Sequence, residues 1–148
     1  MSQSYVQFYV HIVFHTKNNI KFIREDTETE LYSYIGGILK NLRSIPIKIG
    51  GTTDHLHMLC TLPKTMCPAD LVEEVKKSTS KWLKTKGSGY HNFYWQDGYG
   101  GFSVSRHDIN IITNYISNQK EHHKKISFMD EYRQLLKEYG IAFEEKYL

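Results

Sequence analysis

Cysteine is scarce: Cys60 and Cys67 are the only two in 148 residues and form no Cys-x-x-Cys pair. A disulfide-built scaffold is thereby excluded, and both thiols are read as packing groups of a reducing, cytoplasmic compartment. Long apolar runs are lacking as well. The longest, Tyr5 to Phe14, is interrupted by Gln7 and His11 and is too short to cross a bilayer, so no membrane association is expected. The opening Met-Ser-Gln-Ser lacks the basic start and small-residue cleavage site of a secretion signal. Neither sign of charge dominates, since 19 Lys and Arg stand against 16 Asp and Glu for a net +3. That balance is compatible with a nucleic-acid partner without requiring one. No internal repeat or low-complexity tract is visible, and the length suits a single domain over residues 1–148. What is plentiful is Tyr, eleven residues, and His, eight.

Residues 5–15 alternate. Val6, Phe8, Val10, Ile12 and Phe14 form one apolar set, while Tyr5, Gln7, Tyr9, His11, Val13 and His15 form a mixed, hydrogen-bonding one. This predicts a strand with one core face. Thr27 and Glu30 have capping-box spacing ahead of a helix carrying Leu31, Ile35, Ile38, Leu39 and Leu42. Gly36-Gly37 inside that helix costs about 1 kcal/mol per residue relative to Ala, which predicts a close backbone approach there. Two strands follow, near 45–50 and 55–62, joined by the turn-like Gly51-Thr-Thr-Asp54. Pro68 opens a second helix with Leu71, Val72, Val75, Trp82 and Leu83 inward and Lys77, Lys81 and Lys84 outward. A short strand near 102–104 precedes a third helix over about 106–123, capped by Ser105 with Asp108. A fourth is capped by Ser127 with Asp130 and ends at Gly140. The order β-α-β-β-α-β plus two helices predicts an α+β, ferredoxin-like antiparallel sheet with the first two helices on one face. The mixed set of the first strand would then lie on the open face.

Several groups could carry chemistry. Alternation puts His55 and His57 on one strand face, with Leu56 and Met58 on the other. Two such imidazoles can chelate a divalent cation if a third ligand arrives; they can equally be hydrogen-bonded surface histidines. On the third helix Tyr115, Gln119 and His122 fall within an arc of about 60°, flanking the stripe Ile109, Ile112 and Ile116. Gln119 could lend its carbonyl oxygen to the cation without adding charge. Tyr115 could act as a nucleophile if a metal-polarised phosphodiester lay beside it. An amphipathic helix whose Tyr and Gln merely border the core fits the same spacing. No acid occurs between Val75 and Gln96, where Lys76, Lys77, Lys81, Lys84 and Lys86 crowd together. A phosphate backbone or plain solvation would suit such a face. Tyr90, Phe93, Tyr94, Trp95, Tyr99 and Phe102 could stack on unpaired bases or fill the core. His11 shares the face of the paired histidines, either as a DNA contact or as a satisfied sheet histidine. His122 and His123 are ligands, DNA contacts or solvated helix residues.

Taken in order, Gly51-Thr-Thr-Asp-His-Leu-His57, Trp95-Gln-Asp-Gly-Tyr-Gly-Gly-Phe-Ser-Val-Ser105 and Tyr115-Ile-Ser-Asn-Gln-Lys-Glu-His-His123 resemble the single-tyrosine HUH transposases of the insertion sequence 200/605 group. Their domesticated repeat-associated relatives share the likeness, which runs along nearly the whole chain. The resemblance implies a metal-dependent enzyme that cuts and rejoins single-stranded DNA. His55, His57 and Gln119 would hold Mg²⁺ or Mn²⁺, and Tyr115 would form a 5′-phosphotyrosine link. It further implies a homodimer, in which the helix bearing Tyr and Gln can complete the partner's histidine pair, and recognition of hairpin DNA ends. Lys77, Lys81, Lys84, Tyr99 and His11 are the expected DNA contacts. The other reading is a non-catalytic single-stranded nucleic-acid-binding module of ferredoxin-like fold, although the Lys/Arg-Gly-Phe-Gly-Phe strand signature of such modules is absent.

Overall fold

The computed structural model describes residues 3–148, so Met1 and Ser2 of the N-terminal reading lie outside it. Four strands, β1 (Tyr9–His15), β2 (Pro46–Gly51), β3 (His55–Thr61) and β4 (Gly100–Val104), form one antiparallel sheet in the order β2-β3-β1-β4. Helices α1 (Glu25–Asn41) and α2 (Pro68–Leu83) supply the two crossovers. This is the ferredoxin-like α+β plan the element order predicts.

The main core lies between the sheet and α1 and α2. Ile12, Phe14, Leu56 and Met58 from the central strands meet Leu31, Ile35, Leu39, Leu71, Val75 and Leu83. Tyr90, Phe93 and Trp95 also belong to this core, so most of the aromatic run is packing rather than a stacking platform. The Trp95 indole N–H donates to Thr79 Oγ1 at 3.0 Å, which satisfies its buried polar end. Cys60 packs in the same core, whereas Cys67 is exposed at the start of α2.

The second face of the sheet departs from expectation. It is not open: α3 (Ile109–Ser117), α4 (Gln119–His122) and α5 (Phe128–Glu138) cover it. Val13 and Phe102 pack against Phe128, Tyr132, Leu135 and Leu136, while Leu59 and Val104 pack against Ile116. The polar members of the first strand's mixed set are therefore buried, with His11 1% and His15 5% exposed.

Other boundaries shift for local reasons. β1 begins at Tyr9 because its partners stop there, Tyr9 pairing with Thr61 and Val104. Tyr5, Val6 and Phe8 continue the alternation but are exposed. Helix α1 starts before Thr27, which is buried inside it, so the Thr27–Glu30 box caps nothing. The third helix is not continuous. Arg106–Asp108 is a 3₁₀ turn without a side-chain cap from Ser105, and Asn118, at φ −97° and ψ 17°, separates α3 from α4. Ser127 does cap α5, its hydroxyl accepting from Asp130 N–H at 3.2 Å.

The Gly36-Gly37 pair has no backbone against it, since a Cβ at either residue would meet nothing within 4 Å. Its helical cost is therefore uncompensated by packing. Gly37→Ala should stabilise the protein by up to about 1 kcal/mol, read as a higher urea midpoint at unchanged slope. A lower midpoint would show that the helix needs this glycine.

Candidate functional site

The site forms where β3, α3, α4 and α5 meet. Strand alternation turns His55 and His57 away from the main core toward the C-terminal helices, and both are fully buried. Gly50, opposite His57 in the β2–β3 ladder, is what lets α3 lie this close. A Cβ there would stand 2.9 Å from Ile116 Cγ2 and 3.1 Å from its carbonyl oxygen. Tyr115 lies one residue before that contact, its ring centroid 5.7 Å from the His57 ring. Gln119, at the first residue of α4, is 1% exposed and brings Oε1 to 2.7 Å from His55 Nε2. Four residues singled out in the sequence thus converge within one chain.

The residue the sequence reading missed is Glu131. On α5 it sits among Phe128, Tyr132, Leu135 and Leu136, and it is 2% exposed. An acid in the middle of an apolar helical stripe was the signal available, because an unpaired buried carboxylate is costly. Its Oε1 lies 3.1 Å from His57 Nε2, 3.1 Å from His123 Nε2 and 3.7 Å from His55 Nε2. Its Oε2 accepts from Gln119 Nε2 at 2.9 Å and from the Tyr115 hydroxyl. His123 is also drawn in, 2.9 Å from Gln119 Oε1, rather than left in solvent.

Donor and acceptor roles within this cluster are tightly constrained. An ionised carboxylate only accepts, so the Gln119 amide must turn its NH₂ toward Glu131 and its carbonyl oxygen toward His55. His55 Nδ1–H donates to Asp54 Oδ1 at 2.8 Å, and His123 Nδ1–H donates to the Ile126 carbonyl at 2.8 Å. In the neutral rings both Nε2 atoms then carry lone pairs directed at oxygen lone pairs. Such an arrangement is repulsive unless a cation, proton or metal, lies between them. Orienting a metal-binding imidazole through a carboxylate on its other nitrogen is the usual support of a metal site.

The donor set fits a divalent ion on distance as well. Ligands in adjacent octahedral positions at about 2.1 Å from a metal are about 3 Å apart. His55–Gln119 at 2.7 Å and His57–Glu131 at 3.1 Å match that spacing. Among the described residues, the ligand atoms of His55, His57 and Glu131 lie within 4.8 Å of one another, as do those of His122, His123 and Glu131.

Burial and the Glu131 charge set the protonation preferences. Burial pulls the His57 pKa down to about 4, against the opposing hydrogen bond and charge of Glu131. His11 is pulled down to about 3, by burial first and then by His57, whose Nδ1 lies 2.8 Å from His11 Nε2. Burial works against ionising Glu131, yet hydrogen bonds from His123, His57 and Tyr115 hold its carboxyl well below the usual carboxylate range. The Tyr115 phenol is pushed up by burial and then by the adjacent Glu131 charge, so it is held protonated. A neutral imidazole and an ionised carboxylate are the forms that ligate metals.

The expected DNA contacts do not gather here. His11 is a buried sheet histidine beneath His57, too deep to touch DNA; its Nε2 lies 2.8 Å from His57 Nδ1, and its Nδ1 has no hydrogen-bond partner. Lys77 and Lys81 lie on α2 and Lys84 caps its C-terminus; the helix packs on the opposite face of the sheet from the histidines. Lys77 pairs with Glu74 at 3.2 Å, and Lys84 sits over the exposed Tyr94 ring, 4.6 Å from its centroid. Tyr99 is partly buried against the main core. Beside His123 and Asp54, a cleft of about 550 Å³ is lined by Lys21, Lys120 and Lys124 together with Glu25 and Glu121.

Comparison with known proteins places this arrangement. Among curated proteins none matches the chain significantly. Two solved structures share its fold. One is a candidate transposase from Deinococcus radiodurans R1, 19% identical with TM-score 0.62, the match covering 80% of this chain and 96% of that one. The other is a REP-associated tyrosine transposase bound to a REP hairpin, 16% identical with TM-score 0.62, covering 85% of this chain and 74% of that one. Among the described residues no helix is long and apolar enough to cross a membrane. The family described as "Transposase IS200 like" matches residues 4–119, from before β1 to Gln119 itself, and the chain belongs to that transposase family.

Proposed function

We propose that this transposase cuts and rejoins single-stranded DNA with Tyr115 as nucleophile and a divalent cation held by His55, His57 and Gln119. The observation that carries the reading is the convergence of the His55 Nε2 and Gln119 Oε1 lone pairs at 2.7 Å, beside a phenol held on the same carboxylate. Mg²⁺ or Mn²⁺ bound there would polarise the scissile phosphate. Two neutral imidazoles and an amide oxygen add no negative charge of their own beside the Glu131 carboxylate, which limits repulsion of an incoming phosphate.

The remaining roles fall to the chain. The Tyr115 oxygen bonds to phosphorus as the bond to the DNA 3′ oxygen breaks, leaving a 5′-phosphotyrosine and a free 3′-OH. The Glu131 carboxylate, already accepting from the phenol, is the nearest acceptor for its proton. Reversal by a new 3′-OH rejoins the strand without an outside energy source. Hairpin DNA ends are the substrate class, as in the hairpin-bound relative. The reading takes 1–148 as one domain acting as a homodimer, for which Ile111, 64% exposed on α3, offers an apolar contact.

Trapping tests the proposal. Incubation with single-stranded DNA carrying a hairpin from the gene's own flanks, with Mg²⁺ or Mn²⁺, should give a denaturant-resistant protein–DNA adduct that chelator abolishes. Binding to those hairpins without any adduct would favour the non-catalytic binding module instead.

A further inference from the structure

The two oxygens of Glu131 face different partners. Oε1 points at the imidazoles, 3.1 Å from His57 Nε2, 3.1 Å from His123 Nε2 and 3.7 Å from His55 Nε2. Oε2 points at the reacting side, accepting from the Tyr115 hydroxyl and from the Gln119 amide at 2.9 Å, with His122 Nε2 3.3 Å away. We infer that Glu131 ties the cation to the nucleophile, Oε1 joining His55, His57 and Gln119 as a metal ligand while Oε2 positions the Tyr115 phenol. The inference rests on the metal-dependent reading above and assigns to α5, beyond the residues the family match covers, a part in the site.

Packing argues against a merely structural carboxylate. Glu131 is 2% exposed on a helix whose other buried residues are Phe128, Tyr132, Leu135 and Leu136. Among the described residues no Lys or Arg forms an ion pair with it; its ionic contacts are His55, His57, His122 and His123. An acid buried without a Lys or Arg has its negative charge matched either by a proton on the facing His123, 3.1 Å away, or by a cation among the neutral imidazoles. A divalent ion matches it and relieves the facing lone pairs of His55, His123 and Gln119. With Oε1 so engaged, Oε2 stays in place for the phenol, because one rigid carboxylate plane sets both. Gln119 is fixed by the same plane, so its carbonyl oxygen keeps its direction toward His55.

Mn²⁺ titration of the metal-free full chain by calorimetry, with adduct formation measured in parallel, tests this. Glu131→Gln keeps the shape and removes the charge; it should weaken Mn²⁺ binding by at least about tenfold. At saturating Mn²⁺ its adduct rate should still be lower by about tenfold or more, since the amide can present NH₂ to the phenol. Glu131→Asp should bind Mn²⁺ with intermediate affinity, and it carries the test should the Gln variant fail to fold. Tyr115→Phe should leave Mn²⁺ affinity unchanged, and His57→Ala should lose it. Wild-type Mn²⁺ affinity in both Glu131 variants, with His57→Ala deficient, overturns the inference and spares the histidine site. Wild-type affinity in His57→Ala overturns both. A weakened metal site whose adduct rate is normal at saturation removes the positioning role.

Discussion

Tyr115→Phe should eliminate the covalent protein–DNA adduct while leaving hairpin binding within about twofold of wild type. Loss of a nucleophile's reacting atom typically costs on the order of 10³-fold or more in rate, so the adduct should fall below detection. Phe is the informative replacement because it deletes only the hydroxyl. The ring's edge contacts with His57 and His11, at centroid distances of 5.7 and 6.1 Å, are retained. Gln119 still donates to Glu131 Oε2, so the carboxylate keeps a partner and the helical cover of the site stays in place. Denaturing gels of labelled hairpin DNA read the adduct, and fluorescence anisotropy reads binding. An adduct that persists in the Phe variant would take Tyr115 out of the role. Loss of binding together with the adduct would instead mark a folding defect, which a thermal melt identifies.

What could be read in advance depended on whether a residue's role is set by its near neighbours in sequence. His55 and His57 are two apart on a strand, and alternation alone puts them on one face. Tyr115 and Gln119 are four apart, and they stay together despite the break at Asn118 because both end on the same carboxylate. The β-α-β-β-α-β order was legible for the same reason, each strand and helix carrying its own period. Glu131 was not, because it reaches His57 across 74 positions and only the packing of α5 on the sheet brings it there. That packing also explains the misplaced open face. The set holding His11, Val13 and His15 looks half-polar in the strand pattern, and nothing within β1 says that the C-terminal helices will bury it. The lysines of α2 mislead in the opposite way. Their clustering is visible in sequence, but which side of the sheet carries α2 is settled by Leu71, Val75 and Leu83 joining Phe14 and Leu56 in the main core.

Gly51→Ala should be the most damaging single-methyl change at the site. A Cβ at Gly51 would stand 2.1 Å from the His55 carbonyl oxygen, 3.0 Å from its carbonyl carbon and 3.1 Å from Leu56 Cα. All three are backbone atoms of the paired strand, so no side chain can swing aside. Gly51 faces Leu56 in the ladder, and Thr52 N–H donates to that same His55 carbonyl at 3.2 Å. Relief requires β2 and β3 to part at the end where Asp54 and Thr52 hold His55 Nδ1, at 2.8 and 3.0 Å. Overpacking of this kind costs about 3 kcal/mol or more when the backbone must move. Because His55 moves with the backbone, its Nε2 leaves the convergence point on Gln119 even in molecules that stay folded. The expected result is a markedly lower urea midpoint together with Mn²⁺ binding weakened by about tenfold or more in the folded fraction. The contrast with Gly37→Ala isolates the cause. Both substitutions add one methyl, one into open space and one into a carbonyl oxygen, so opposite shifts in the midpoint trace to the hairpin contact. Wild-type stability with wild-type Mn²⁺ affinity in Gly51→Ala would mean that the turn has slack, and that His55 is positioned by Asp54 and Thr52 without help from the glycine.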